Sequence, residues 1–105
     1  MFSVDFLEIA HAEFAELPAD MRARLIRMVE VIEQHGLRHA PAHWVKSLGG
    51  GLWELRITGR DGIARAFYVV LRGPRMVIVR VFVKKSQKTP KHELELARRR
   101  AKEVV

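Results

Sequence analysis

The spacing of apolar positions changes along the chain. Over residues 7–17 they recur as Leu7, Ala10, Phe14 and Leu17, the spacing of one helical face. Pro18 interrupts, and a second series of Met21, Leu25, Met28, Val29 and Ile32 predicts another helix, with Asp20 in its first turn. Gly36 should end it, because glycine adopts the left-handed C-cap conformation without a steric cost. From residue 52 the period falls to two. Residues 52–58 and 64–71 alternate around a Gly59-Arg60-Asp61-Gly62 hairpin loop, and Gly73-Pro74 turns the chain into a third strand over 76–83. Residues 2–6 suit a short strand and 43–48 an edge strand. Thr89 is an N-cap candidate, with Pro90 opening a last helix that runs to about residue 103. Helices, a meandering antiparallel sheet and a closing helix make an α+β domain spanning 1–105.

Strand parity then assigns faces. In the third strand Val77, Val79, Val81 and Val83 form an apolar row, which predicts the face against the N-terminal helices. Centring the first hairpin on Arg60-Asp61 sets Ile57 opposite Ala64 and Arg56 opposite Arg65. Centring the second turn on Gly73-Pro74 sets Arg65 opposite Phe82 and Phe67 opposite Arg80. Arg56, Arg65, Arg80 and Lys84 then share the face away from those helices. Like charges directly opposite on a sheet are destabilising, by up to about 1 kcal/mol per pair. Folding gives no reason for such a stack, whereas binding a polyanion does; the competing reading pairs Arg56 with Glu54 or Glu95 on an ordinary surface.

Charge strengthens that picture. The apolar strand stops at Lys84 and Lys85, and with Lys88 these put three lysines within five residues in the run F-V-K-K-S-Q-K-T-P. The net charge is +7, and from residue 84 onward eight Lys/Arg face three Glu. Such asymmetry points to an anionic partner. The C-terminal segment lacks the bulky aromatics of a membrane-surface helix, which favours nucleic acid. No apolar run reaches the ~20 residues of a membrane span. The first ten residues carry Asp5 and Glu8 and no basic start, so they do not read as a signal peptide. With no cysteine the chain has no disulfide framework, and the expected location is the bacterial cytoplasm.

Familiar catalytic arrangements are missing. The five histidines have no metal-ligand spacing, Gly36 breaking the helix between His35 and His39. Gly49-Gly50-Gly51 lacks the Lys-Ser/Thr of a phosphate loop. Glu8, Glu13 and Glu16 read as a solvated helix face, and neither metal nor cofactor is expected.

The segments L-W-E-L-R ending at Arg56, R-A-F-Y from Arg65, F-V-K-K from Phe82, Q-K-T-P from Gln87 and E-L-E-L-A-R ending at Arg98 together resemble the phage-derived, HigB-like branch of the RelE/ParE toxin superfamily. The resemblance covers about residues 25–103, and its F-V-K-K-x-x-K-T-P core is the specific part. It implies a twisted antiparallel sheet with an N-terminal helical hairpin on one face and a basic site on the other. It also implies the toxin of a type II toxin–antitoxin module, a metal-independent endoribonuclease that cuts mRNA on the ribosome and so arrests translation and growth. Arg56, Arg65, Lys84 and Lys85 take the catalytic positions, while Arg80, Gln87, Lys88, Lys91, Arg98, Arg99 and Arg100 are expected to contact RNA. The substrate's own 2′-OH would attack the adjacent phosphorus, with a lysine of lowered pKa as base; which lysine stays open. Partners implied are mRNA, the ribosome and a helix-turn-helix antitoxin.

This chain departs from the pattern in two ways. Its N-terminus is shorter than in many relatives, so the first strand should be reduced or missing, and Arg80 stands where relatives often have His. Tyr68 follows core parity, which makes its hydroxyl structural. Two other functions compete: a ParE-like toxin that poisons DNA gyrase without nuclease chemistry, and a nonenzymatic RNA-binding module.

Overall fold

Short glycine turns convert the alternating segments into a sheet. The computed structural model describes residues 2–84 and 88–104. Strand β1 (Ser3–Phe6) leads into helices α1 (Glu8–Ala15) and α2 (Ala19–His35). Two 3-10 turns, Leu37–His39 and Ala42–Trp44, precede β2 (Val45–Gly49), β3 (Leu52–Gly59), β4 (Gly62–Leu71), β5 (Arg75–Lys84) and α3 (Lys91–Ala101). The strands lie in the order β1-β5-β4-β3-β2. The central register is the expected one: Arg56 faces Arg65, Ile57 faces Ala64, Arg65 faces Phe82 and Phe67 faces Arg80.

The architecture is α+β, with one correction to the sheet. It is mixed, because β1 is present, though only four residues long, and runs parallel to β5. No turn links these two strands, so local sequence carries no signal for their relative direction.

A β-bulge makes the second correction. Phe67 faces Arg80 but Tyr68 faces Ile78, so Val79 is an extra residue in β5 and the side-chain alternation flips there. The valine row is therefore split. Val81 joins Leu55, Ile57, Ala64, Ala66, Tyr68, Met76 and Ile78 beneath α1 and α2, whereas Val77 and Val79 pack with Leu52, Phe67, Val69 and Ala97 beneath α3. Val83 is left partly exposed. The bulge lets one strand supply apolar residues to both layers. Helix α2 buries Met21, Leu25, Met28 and Ile32 against the first layer.

Beyond Ile78, β5 extends past the end of β1, and side chains satisfy its outer backbone groups. The Val81 N–H donates to Glu13 Oε1 at 3.1 Å, and Arg100 Nη1 donates to the Val79 carbonyl at 2.9 Å. An open strand edge is thereby closed without another strand. At the opposite end of the sheet, the Arg60 N–H donates to Asp20 Oδ2 at 2.8 Å, tying the β3–β4 turn to the start of α2. Gly59 lies under α2 there, and a Cβ on it would meet Met21 at 2.6 Å.

Helix α3 starts one residue later than expected. Pro90 occupies the cap position and Thr89 makes no cap hydrogen bond; its hydroxyl lies 3.5 Å from Glu54 Oε1 instead.

Candidate functional site

Alternation in β3 and β4 projects Glu54, Arg56 and Arg65 from the face that carries α3 farther along the sheet. Arg56 is the exposed member, with a side chain 46% accessible, and Arg65 is buried at 4%. The expectation of four cations displayed together is therefore corrected: Arg65 forms the floor of the site. The partner that permits this burial is Glu54, itself 1% exposed. Its Oε2 lies 3.2 Å from Arg65 Nη1 and 3.6 Å from Arg56 Nε. One carboxylate thus stands between two guanidiniums that the register sets opposite each other. Arg65 Nε and Nη1 still make no hydrogen bond. Buried donors of this kind are rare and costly.

Lys84 ends β5 opposite Ile63, two pairs beyond the Arg65–Phe82 pair. Burial, followed by the positive charges of Arg65, Lys46 and Arg56, lowers its pKa, with Glu54 acting in the opposite sense. Burial likewise lowers the pKa of Arg65, Glu54 opposing and Arg56 adding to the effect. Lys85 and Gln87 lie outside the described residues. Lys88, Lys91 and Arg99 are exposed on the segment that leads into and along α3.

Three expected RNA contacts are committed elsewhere. Arg80 is held by Glu93, Nε to Oε1 at 2.7 Å and Nη2 to Oε2 at 2.9 Å, and by Glu13, with Nη1 at 2.7 Å from Oε2. Its guanidinium also lies 5.2 Å from the centre of the Phe82 ring. Arg100 binds Glu13 Oε1 at 2.9 Å, and Arg98 donates to the carbonyls of Leu48 and Gly49 at 3.0 and 3.1 Å. These arginines fasten α1, β5, α3 and the β2–β3 turn together. Charge on the last helix pointed to a ligand, but much of it joins secondary-structure elements.

Glu13, which its spacing with Glu8 and Glu16 places on a solvated face, is instead the hub of this network. Burial raises its pKa, but the hydrogen bonds from Arg100 and the Val81 N–H and the charges of Arg80 and Arg100 outweigh it, leaving the pKa lowered. Nothing local distinguishes Glu13 from Glu8 or Glu16, since its partners are 67 or more positions away or lie in other elements. Local sequence presents Glu54 only as an ion-pair partner of Arg56. Its even spacing with Leu52 and Arg56 in an alternating strand was the signal that it shares their face.

Beside Arg56 and Arg65 the surface opens into a pocket of about 340 Å³, also lined by Arg24, Met28, His43, Trp44, Thr58 and Ile63. Taken together, the site offers fixed cations, unfilled N–H donors and an amine of lowered pKa. That combination can bind a phosphodiester, stabilise added charge on it and accept a proton.

No curated protein matches the chain. Among solved structures it is similar to a chain in the crystal structure of the archaeal RelE–RelB complex from Pyrococcus horikoshii OT3, with a TM-score of 0.56 and 16% sequence identity over 80% of this chain and 96% of that one. This likeness concerns the fold, which is RelE-like. Residues 12–102 match the family described as "Phage derived protein Gp49-like (DUF891)", and since that match takes in nearly the whole domain, including all of the candidate site, the chain belongs to the phage-derived Gp49-like family.

Proposed function

We propose that the chain is the toxin of a type II toxin–antitoxin module, of the HigB-like kind, and that it cleaves mRNA held on the ribosome without a metal ion. The observation that carries this reading is Arg65: a guanidinium 4% exposed, ion-paired through Nη1 to Glu54 and set beside exposed Arg56 and the lowered-pKa amine of Lys84. A site built only for stability would not bury an incompletely bonded cation among other cations.

In the reaction the ribose 2′-oxygen bonds to phosphorus as the bond to the 5′-oxygen breaks. The 2′-OH proton passes to a base, and the departing 5′-oxygen takes up a proton. The products are a 2′,3′-cyclic phosphate and a 5′-OH end. Arg56 and Arg65 stabilise the extra charge on the pentacoordinate phosphate, and each such donor is worth ~10²–10³ in rate. Lys84 or Lys85 serves as the base, since crowding by cations raises the fraction of neutral amine at a given pH. Lys88 and Lys91 extend the cationic surface toward α3. The ribosome supplies the in-line geometry of the strand.

A partner that silences the toxin completes the module. The similar fold was solved as a RelE–RelB complex, and by analogy this chain pairs with an antitoxin, for which sequence resemblance favours a small helix-turn-helix protein.

Primer extension on cellular mRNA after brief induction tests the function. The expected result is discrete new 5′ ends within translated regions, absent with Arg56→Ala. Intact mRNA alongside gyrase-linked DNA breaks would replace this reading with gyrase poisoning.

A further inference from the structure

The pocket beside the cationic floor carries chemistry that phosphate does not need. Strand β2 begins its pairing at Val45, opposite Leu55, so the edge of β3 from Arg56 onward has no strand beside it in the described register. The Ala42–Trp44 turn stands there instead, and the notch wraps round the sheet edge to reach Arg24 and Met28 on α2. Phosphate binding would be served by Arg56 and Arg65 alone. Trp44, His43 and the buried Met28 also line the notch, within a surface that is polar for the most part. The volume of about 340 Å³ lies within the range of small-ligand sites.

We propose that this notch is a nucleobase subsite: Trp44 and His43 form the stacking wall for one RNA base while the adjoining phosphate sits on Arg56 and Arg65. This rests on the RNA reading above and adds a recognition element to it. Two independent observations support it. Arg56, 46% exposed, and the buried Arg65 line the notch side by side, which gives one of its ends a fixed positive charge. Two rings, Trp44 and His43, line the same notch, and every base has a face that stacks on a ring. Arg24, on the same notch, adds a third cation for the next phosphate or a base edge. The other tryptophan, Trp53, faces Tyr68 and shares the strand parity of Leu55 and Ile57, on the opposite side of β3 from Arg56.

That separation supplies the test. In a Trp53→Phe background, Trp44 is the remaining tryptophan and reports on the notch. The probes are a ribodinucleotide made uncleavable by a 2′-O-methyl group and, separately, inorganic phosphate. The dinucleotide should change Trp44 emission saturably and phosphate should not. Trp44→Ala should weaken dinucleotide binding about 5- to 150-fold, the range for one lost stacking partner, and Trp44→Phe should retain most of it. Because Trp44 is partly buried, the emission change in the otherwise intact chain and the Phe variant keep the result independent of any folding defect in the Ala variant. A dinucleotide that binds without altering Trp44 emission, and equally well to Trp44→Ala, removes the subsite and leaves the RNA reading standing. An equal response to phosphate reduces the notch to an anion site and overturns the proposal. If the dinucleotide binds no variant and cellular mRNA stays intact on induction, both readings fall.

Discussion

Arg65 and Glu54 form a buried ion pair, with Nη1 3.2 Å from Oε2 and side chains 4% and 1% exposed. The pair resolves a conflict set by the sheet register, which places Arg56 opposite Arg65. Glu54 lies two residues before Arg56 on the same strand face and touches both guanidiniums. A single carboxylate offsets part of the repulsion and leaves the site cationic. A cluster with no counter-charge would cost the fold too much, and one with equal numbers of carboxylates would not attract phosphate.

Removing that carboxylate should therefore damage the fold before it damages chemistry. Glu54→Gln leaves Arg65 buried without a counter-ion, and breaking a buried pair in this way costs about 3–5 kcal/mol. Urea denaturation should show a lower midpoint with an unchanged slope. A midpoint equal to that of the parent chain would mean the pair contributes nothing net.

Arg56→Ala and Arg65→Ala should behave differently. The Arg56 side chain is 46% exposed and its loss opens no cavity. Cleavage should fall ~10²–10³-fold with the melting temperature nearly unchanged. Arg65→Ala should lose both activity and stability, because it strands Glu54. Parent-like cleavage rates for a folded Arg56→Ala would remove Arg56 from the site.

The Glu13 network predicts sensitivity to acid. The folded-state pKa of Glu13 is held below the ordinary 4.5 by its arginine and backbone partners. Its contribution is complete above the unfolded value and is lost as pH falls through the lowered folded one. Stability measured against pH should thus drop below about pH 4.5 more steeply in the parent than in Glu13→Gln. Parallel curves would show that Glu13 titrates alike in both states.

Tyr68, the chain's single tyrosine, offers an alkaline counterpart. Burial pushes its pKa up to about 12 from 10.0. The stability it contributes is whole below the unfolded value and fades as pH rises toward the folded one. Ultraviolet titration of the folded chain should show little tyrosinate at about pH 11, where a free phenol is mostly ionised. Ready ionisation there, with the fold intact, would place the hydroxyl in water.

Much of this was legible in the sequence because it depends on local rules. The helical faces of residues 7–17 and of α2 follow from spacing, and Gly36 ends α2 as expected at a positive φ of 84°, though its ψ of 158° is extended and not that of the left-handed C-cap. The Gly59 to Gly62 loop fixed the β3–β4 register, and with it the juxtaposition of Arg56 and Arg65. Periodicity, turn chemistry and charge all act over a few residues, so the chain states them directly.

Other features were decided only by tertiary structure. The parallel pairing of β1 with β5 joins segments that no turn connects, and the bulge at Val79 answers the need of β5 to feed two apolar layers. Whether an arginine greets a ligand or ties two elements together depends on which carboxylate or carbonyl the fold brings to it. Arg80 meets Glu13 and Glu93, Arg98 meets the β2–β3 turn, and Arg56 stays half in solvent. The sequence set how much positive charge the domain carries and on which strands. Long-range packing, through desolvation and the placement of Glu54 and Glu13, determined which of those charges remain available.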